Sequence, residues 1–194
     1  MSQADVDAFV ASAEHGALTS KGVTAAVARG VLINQRHSRT GRTALLESVI
    51  KKRREVVEAL LAAGADANVT NNNGATSVLL SAWISSADIV QLLLTSKGSI
   101  NEPDIYGQTP LIALVRYNYG DAAARLKVLL ACPQLDLDAS YDGKTAEEWA
   151  TDAGRSELAV VIAEERARRE RWSVLRCAWI AATIVLTAER TATL

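Results

Sequence analysis

The sequence predicts an all-α solenoid of stacked helix–turn–helix units with hairpin-like loops, followed by a C-terminal helix. Three observations predict it. Glycines 41, 74, 107 and 143 each open a Gly-x-Thr triplet, in "GRTAL", "GATSV", "GQTPL" and "GKTAE", at separations of 33, 33 and 36 residues. A sustained period in this range is the signature of a repeat array. Each triplet leads into a helix-like apolar pattern and then into a run such as "VVEALLAAGADAN" or "IVQLLLTSKGSIN". Polar stretches such as "NVTNNNGA" come next, and their Asn and Gly residues suit turns.

Within a unit the elements follow from local chemistry. Thr43, Thr76, Thr109 and Thr145 stand where a first helix begins, and a threonine hydroxyl there accepts from an unpaired backbone N–H. Pro110 falls at the first helical position, where its missing N–H costs nothing. Thr145 and Glu148 have capping-box spacing. Val56, Val57, Leu60 and Leu61 form one stripe of a second helix, repeated by Ile89, Val90, Leu93 and Leu94. Gly64 then suits the left-handed position past the helix end.

A 33-residue period with this layout resembles the ankyrin repeat, most closely over residues 41–73, where "VVEALLAAGADAN" matches the family's second helix and loop. The resemblance extends over about residues 5–165. It gives units at roughly 5–40, 41–73, 74–106, 107–142 and 143–165, with 166–194 as a C-terminal helical extension. In the opening unit "FVASAEHGALTSKG" reads as first helix and turn, and "VTAAVARGVLINQR" comes after it. No unit keeps the histidine of the family's T-P-L-H motif. Leu46, Leu79, Ile112 and Glu148 stand there, so apolar packing is expected to replace the histidine hydrogen bonds in the three central units. Lys97 occupies the usual glycine position of the third unit, which predicts a rearranged helix end. The fourth unit carries about three extra residues, placed most simply in "YNYGDAA" between its helices.

Composition removes several function classes. The 21 basic and 22 acidic residues nearly cancel, so no global field draws the chain to nucleic acid or anionic membrane. Cys132 and Cys177 make no disulfide framework, and "MSQADVDAF" has no apolar run of the secretory kind, which together predict a reducing compartment. There the Asn68-Val69-Thr70 sequon would stay unmodified. His15 and His37 lie far apart, and no metal-ligand spacing, nucleophile elbow or dinucleotide fingerprint occurs. Gly143-Lys144-Thr145 mimics the end of a phosphate-binding loop, but Asp138 stands where that loop needs its first glycine. No enzyme, metal or cofactor is expected.

The resemblance implies that a protein partner docks on the hairpin tips and the late positions of the first helices, which line a concave face. By register those positions are Ile50 and Lys51, Trp83 and Ile84, and Arg116 and Tyr117. They are usually polar in the family, and here they supply the residue types that dominate binding energies. Tyr106 falls on a loop tip and Tyr119 in the insertion, while Arg36, Arg39 and Arg42 give the N-terminal end a positive bias. The run "KKRRE" (51–55) falls in the helix–helix turn of the second unit, where a solvated turn is the simplest account.

Residues 164–172, "EERARRERW", suit a solvated helix, after which Leu175, Trp179, Ile180, Thr183, Ile184 and Thr187 recur at helical spacing. The expected role is a helix folded back over the end of the array, since terminal repeats need covering. The apolar stretch 177–187 is well short of the roughly 20 residues a membrane-spanning helix needs. The expected protein is thus a monomeric, cytoplasmic scaffold or adaptor that binds another protein. Two alternatives are a nuclear regulator using residues 51–54 and a membrane-proximal adaptor using residues 172–188.

Overall fold

The computed structural model describes residues 2–117 and 120–192, with side chains through Arg176. The helices run in pairs: α1 (Gln3–Glu14) with α2 (Ser20–Ala28), α3 (Ala44–Ile50) with α4 (Arg54–Ala62), α5 (Ser77–Ile84) with α6 (Ala87–Thr95), α7 (Pro110–Tyr117) with α8 (Ala122–Leu130), and α9 (Ala146–Asp152) with α10 (Ser156–Ala192). First helices stack on first helices and second on second, giving a two-layered helical solenoid. A short antiparallel ladder, β1 (Ser140–Tyr141) against β2 (Lys144–Thr145), forms the last hairpin.

The expected caps are present. The hydroxyls of Thr43, Thr76, Thr109 and Thr145 accept from the backbone N–H three residues on, at 3.2–3.4 Å. Glu148 completes the box at Thr145 by accepting from its N–H at 2.7 Å. The Gly-Lys-Thr sequence is therefore a hairpin turn and a helix cap. In the opening unit "TSKG" is not turn but the start of α2, because the Thr19 hydroxyl accepts from the Gly22 N–H and opens a helix there. Of the extra residues of the fourth unit, two lengthen the helix connection, which spans 118–121 against 85–86 in the third unit. The third lies between α8 and Thr145. Asn118 and Tyr119 lie outside the described residues.

Apolar packing does replace the histidines: Leu46, Leu79 and Ile112 are at most 2% exposed in the middle of the stack. It does not act alone. Asn34, Asn68 and Asn101 each reach the next unit, donating to the carbonyls of Gly64, Lys97 and Gln134 and accepting from the N–H of Asp66, Ser99 and Asp136. The sequon asparagine is thus a structural rung. A second ladder runs along the helix–helix turns. Arg53 donates to the carbonyls of Gly16 and Leu18, and the Ser85 hydroxyl donates to that of Val49. Arg125 donates to those of Ala82 and Trp83, and Arg155 to that of Val115. These rungs satisfy carbonyls in and around the ends of the first helices, which lack partners within their own helix.

Lys97 does not rearrange its helix end. It adopts the left-handed conformation itself (φ 64°), and Gly98 N–H reaches the Leu93 carbonyl at 2.9 Å, as Ala65 N–H reaches Leu60. Gly98 is required for space, since a Cβ there would meet Val78 Cγ2 at 2.5 Å and the Leu93 carbonyl oxygen at 2.9 Å. Lys52 is also left-handed, at φ 56°. A side chain in that region costs roughly 1–2 kcal/mol, part of which glycine returns through its larger unfolded-state entropy. Lys52→Gly is therefore expected to raise stability by about 0.5–1 kcal/mol in urea unfolding, with Lys52→Ala giving no gain.

At the N-terminal end the Asp7 carboxylate accepts from the Ser38 hydroxyl (2.5 Å), the Ser38 N–H (2.9 Å) and the Gln3 amide (2.9 Å), tying α1 to the first hairpin. These bonds, the hydroxyl foremost, hold its pKa at about 2 against an ordinary 3.8. Because the folded value is the lower one, the linkage stabilises the fold above 3.8 and is lost as pH falls toward 2. The urea midpoint is expected to fall faster over that window in the natural protein than in Asp7→Asn.

The C-terminal region departs most from expectation. A helix folded back over the array is not what forms. Instead α10 runs unbroken from Ser156 to Ala192, about 55 Å, serving first as the second helix of the last unit and then projecting onward. The reason is local: no Gly or Pro occurs after Gly154, so nothing ends the helix. Its first half closes the array. Arg169 donates to the carbonyls of Leu130, Cys132, Pro133 and Leu135, and Arg166 to the Leu137 carbonyl and the Glu147 carboxylate. Past that point Trp172, Val174 and Leu175 are each at least 60% exposed. The side chains of Cys177, Trp179, Ile180, Thr183, Ile184 and Thr187 lie outside the described residues. No helix among the described residues is long and apolar enough to cross a membrane.

Candidate functional site

The late first-helix positions of α5 and α7 come together as a stack of rings and one guanidinium. Trp83 and Tyr117 lie with centroids 4.8 Å apart and planes tilted by 33°. The Arg116 guanidinium sits 5.2 Å from the Tyr117 centroid, 4.6 Å from that of Tyr141 and 4.5 Å from that of Trp149. Tyr141 and Trp149 are 5.9 Å apart, and the indole N–H donates to the Tyr141 carbonyl at 2.9 Å. Lys144 Nζ lies 5.3 Å from the Trp149 ring and is paired with Asp152. Each aromatic pair contributes about 0.5–1.5 kcal/mol and each cation–ring contact about 0.5–2 kcal/mol, so the stack is a rigid element. All five members are half-buried and keep a solvent-facing edge.

Tyr141 and Trp149 are absent from the residues expected by register. A signal for them exists in "SYDGKTAEEW", where Tyr and Trp stand eight apart around the last hairpin. Register alone misses them because the 36-residue spacing puts Trp149 level with Ala113, and it is the long Arg116 side chain that bridges the units. The remaining expected residues lie elsewhere. Ile84 is half-buried at the end of α5, and Tyr106 projects from its hairpin tip, 61% exposed, with no ring contact to the stack among the described residues. Ile50 is partly buried against the same apolar core that Trp83 packs on.

Lys51 and Lys52 are exposed, with Lys51 capping α3. Arg53 is spent on the second ladder, and Arg54 pairs with Glu58 and Asp88, so within "KKRR" only the Lys51 and Lys52 side chains have neither a hydrogen-bond nor an ion-pair partner among the described residues. Arg42 pairs with the buried Glu47 at 3.1 Å. The Arg39 carbonyl and the Arg36 guanidinium both bind Asn72 of the next hairpin, leaving the Arg39 side chain exposed.

A family model for ankyrin repeats, in three copies, matches residues 5–104. The chain belongs to the ankyrin-repeat family. Mouse inversin is 29% identical over 130 residues, covering 67% of this chain and 12% of inversin. Neurogenic locus notch homolog protein 1 of the hamster Cricetulus griseus is 28% identical over 144 residues, 73% of this chain and 6% of that protein. A putative ankyrin repeat protein of fowlpox virus is 40% identical over 96 residues, 46% of this chain and 28% of its own length. The chain thus spans only a minor part of these relatives. Ankyrin repeats are generally protein–protein interaction modules and typically non-catalytic. The helical pairs α7–α8 and α9–α10 continue the ankyrin layout beyond the matched residues.

Proposed function

We propose that this chain is a scaffold or adaptor that binds another protein, without catalysis, on the first-helix face of its ankyrin array. The observation that carries this reading is the half-exposed Trp83–Tyr117–Arg116–Tyr141–Trp149 stack, of which Trp83, Arg116 and Tyr117 stand at positions where the family places polar, solvent-facing residues. Partly buried Trp, Tyr and Arg side chains held rigid before binding lose little entropy on contact, which is what favours them as binding anchors. Arg39 and Lys51 supply a positive rim toward the N-terminal end.

A site-resolved test uses a photo-crosslinking residue at Tyr106, on the hairpin tip, or at Val160, exposed on the second-helix layer. Irradiation of cells is expected to yield discrete protein adducts from position 106 and not from position 160. Adducts from position 160 alone would place the partner on the other layer and refute the reading.

A further inference from the structure

The stack also indicates the chemistry of what it binds. Arg116 is fixed on all sides that the chain provides. Its plane is held by three rings, and Nη1 donates to Gln108 Oε1 at 2.8 Å and to Tyr117 Oη at 3.4 Å. That uses one nitrogen. Its Nε and Nη2 donors meet no acceptor among the described residues, and no carboxylate there lies within ion-pair distance. The acids of the neighbouring unit are committed: Asp152 to Lys144, and Glu148 to the Thr145 N–H and hydroxyl. Asp142 and Glu148 act on Lys144.

The open Nε–Nη2 edge of a guanidinium is the fork that matches a carboxylate in two parallel hydrogen bonds. The rings beside it lower the local dielectric, which strengthens such a pair. Resting on the binding reading above, we propose that Arg116 is a preformed carboxylate receptor that takes an Asp or Glu side chain of the partner segment. An apolar residue beside that acid packs on Trp83 and Ile84. The partner is thus an acidic–apolar segment, consistent with the exposed cations Arg39 and Lys51 toward the N-terminal end of the array, which have no ion-pair partner among the described residues.

The test uses a random-peptide display library selected on the full chain, followed by synthetic peptides blocked at both ends. Selected peptides are expected to share one Asp or Glu next to an apolar residue. Replacing that acid by its amide should weaken binding about tenfold. With Arg116→Lys, which keeps a cation over the rings but lacks the fork, the same replacement should change affinity less than about threefold, with the thermal melt unchanged. Arg116→Gln gives a second, uncharged variant with the same expected loss of coupling. Selected peptides without a shared acid, or an acid-to-amide loss equal in all three proteins, would overturn the carboxylate assignment and leave the binding reading intact. No peptide selected that depends on Trp83 would overturn both.

Discussion

Arg125→Met is expected to lower the unfolding free energy by about 2–4 kcal/mol in urea titration, the largest loss from any single polar side chain here. Arg125 has no exposed surface, yet its guanidinium reaches the carbonyls of Ala82 and Trp83 at 2.8 and 2.7 Å. The need for it lies in α5. Units one, two and five close their first helix with a left-handed residue, Gly16, Lys52 or Gly154. Ser85 is extended instead, so its N–H reaches only the Ser81 carbonyl, and those of Ala82 and Trp83 are left to Arg125. Burial pushes the Arg125 pKa down, the mark of a desolvated cation. Methionine of similar length would recover that desolvation cost, but the two carbonyls remain, dry and unpaired, at about 1–3 kcal/mol each. The loss therefore outweighs the gain. Arg125→Lys should recover only part of it, since an ammonium on the two carbonyls cannot also keep the bond that Nε donates to the Asp121 carbonyl. A change under about 0.5 kcal/mol in Arg125→Met would show that α5 ends without help from the next unit.

Ile112→Ala should cost about 3 kcal/mol, within the 2–5 kcal/mol typical of deleting a buried Ile. Ile112 is fully buried in the fourth unit, at the place the family gives to a histidine. A smaller side chain leaves a cavity there that the flanking first helices, pinned by both ladders, cannot close. Val27, on the outer layer and 42% exposed, supplies the control, and Val27→Ala should stay within about 0.5 kcal/mol. Since a repeat array is stabilised through nearest-neighbour contacts, the Ile112 lesion should also weaken coupling between the two ends and broaden the transition. A loss under about 1 kcal/mol would mean that packing does not substitute for the missing histidines.

How much of this was legible depends on the range of each interaction. The threonine caps, Pro110 at the start of α7 and the left-handed Gly64 are set within four residues, and the sequence displays them directly. The unbroken α10 was equally legible from the lack of any breaker after Gly154. The expectation of a fold-back arose from the need to cover the last unit, which Arg166 and Arg169 meet from the helix's first half. By contrast, the rungs from Asn34, Arg53, Arg125 and Arg155 join residues about 30 to 43 positions apart. They depend on how far a side chain reaches across the stack, which period alone does not encode. Trp83, Arg116 and Tyr117 follow from register. Tyr141 and Trp149 do not, because Trp149 stands midway along its first helix, level with Ala113, and only the reach of the Arg116 side chain joins it and Tyr141 to the stack. Lys97 shows the opposite case, a residue of the wrong type held in the family's backbone geometry by its neighbours.

The central claim is that the ring-and-guanidinium stack is a binding surface. It is tested most directly by the affinity of a captured partner for the natural chain and for Trp83→Ala with Tyr117→Ala. The double variant is expected to lose at least about a hundredfold in affinity while its circular dichroism spectrum keeps its helical shape. Unchanged affinity in a folded double variant would contradict it.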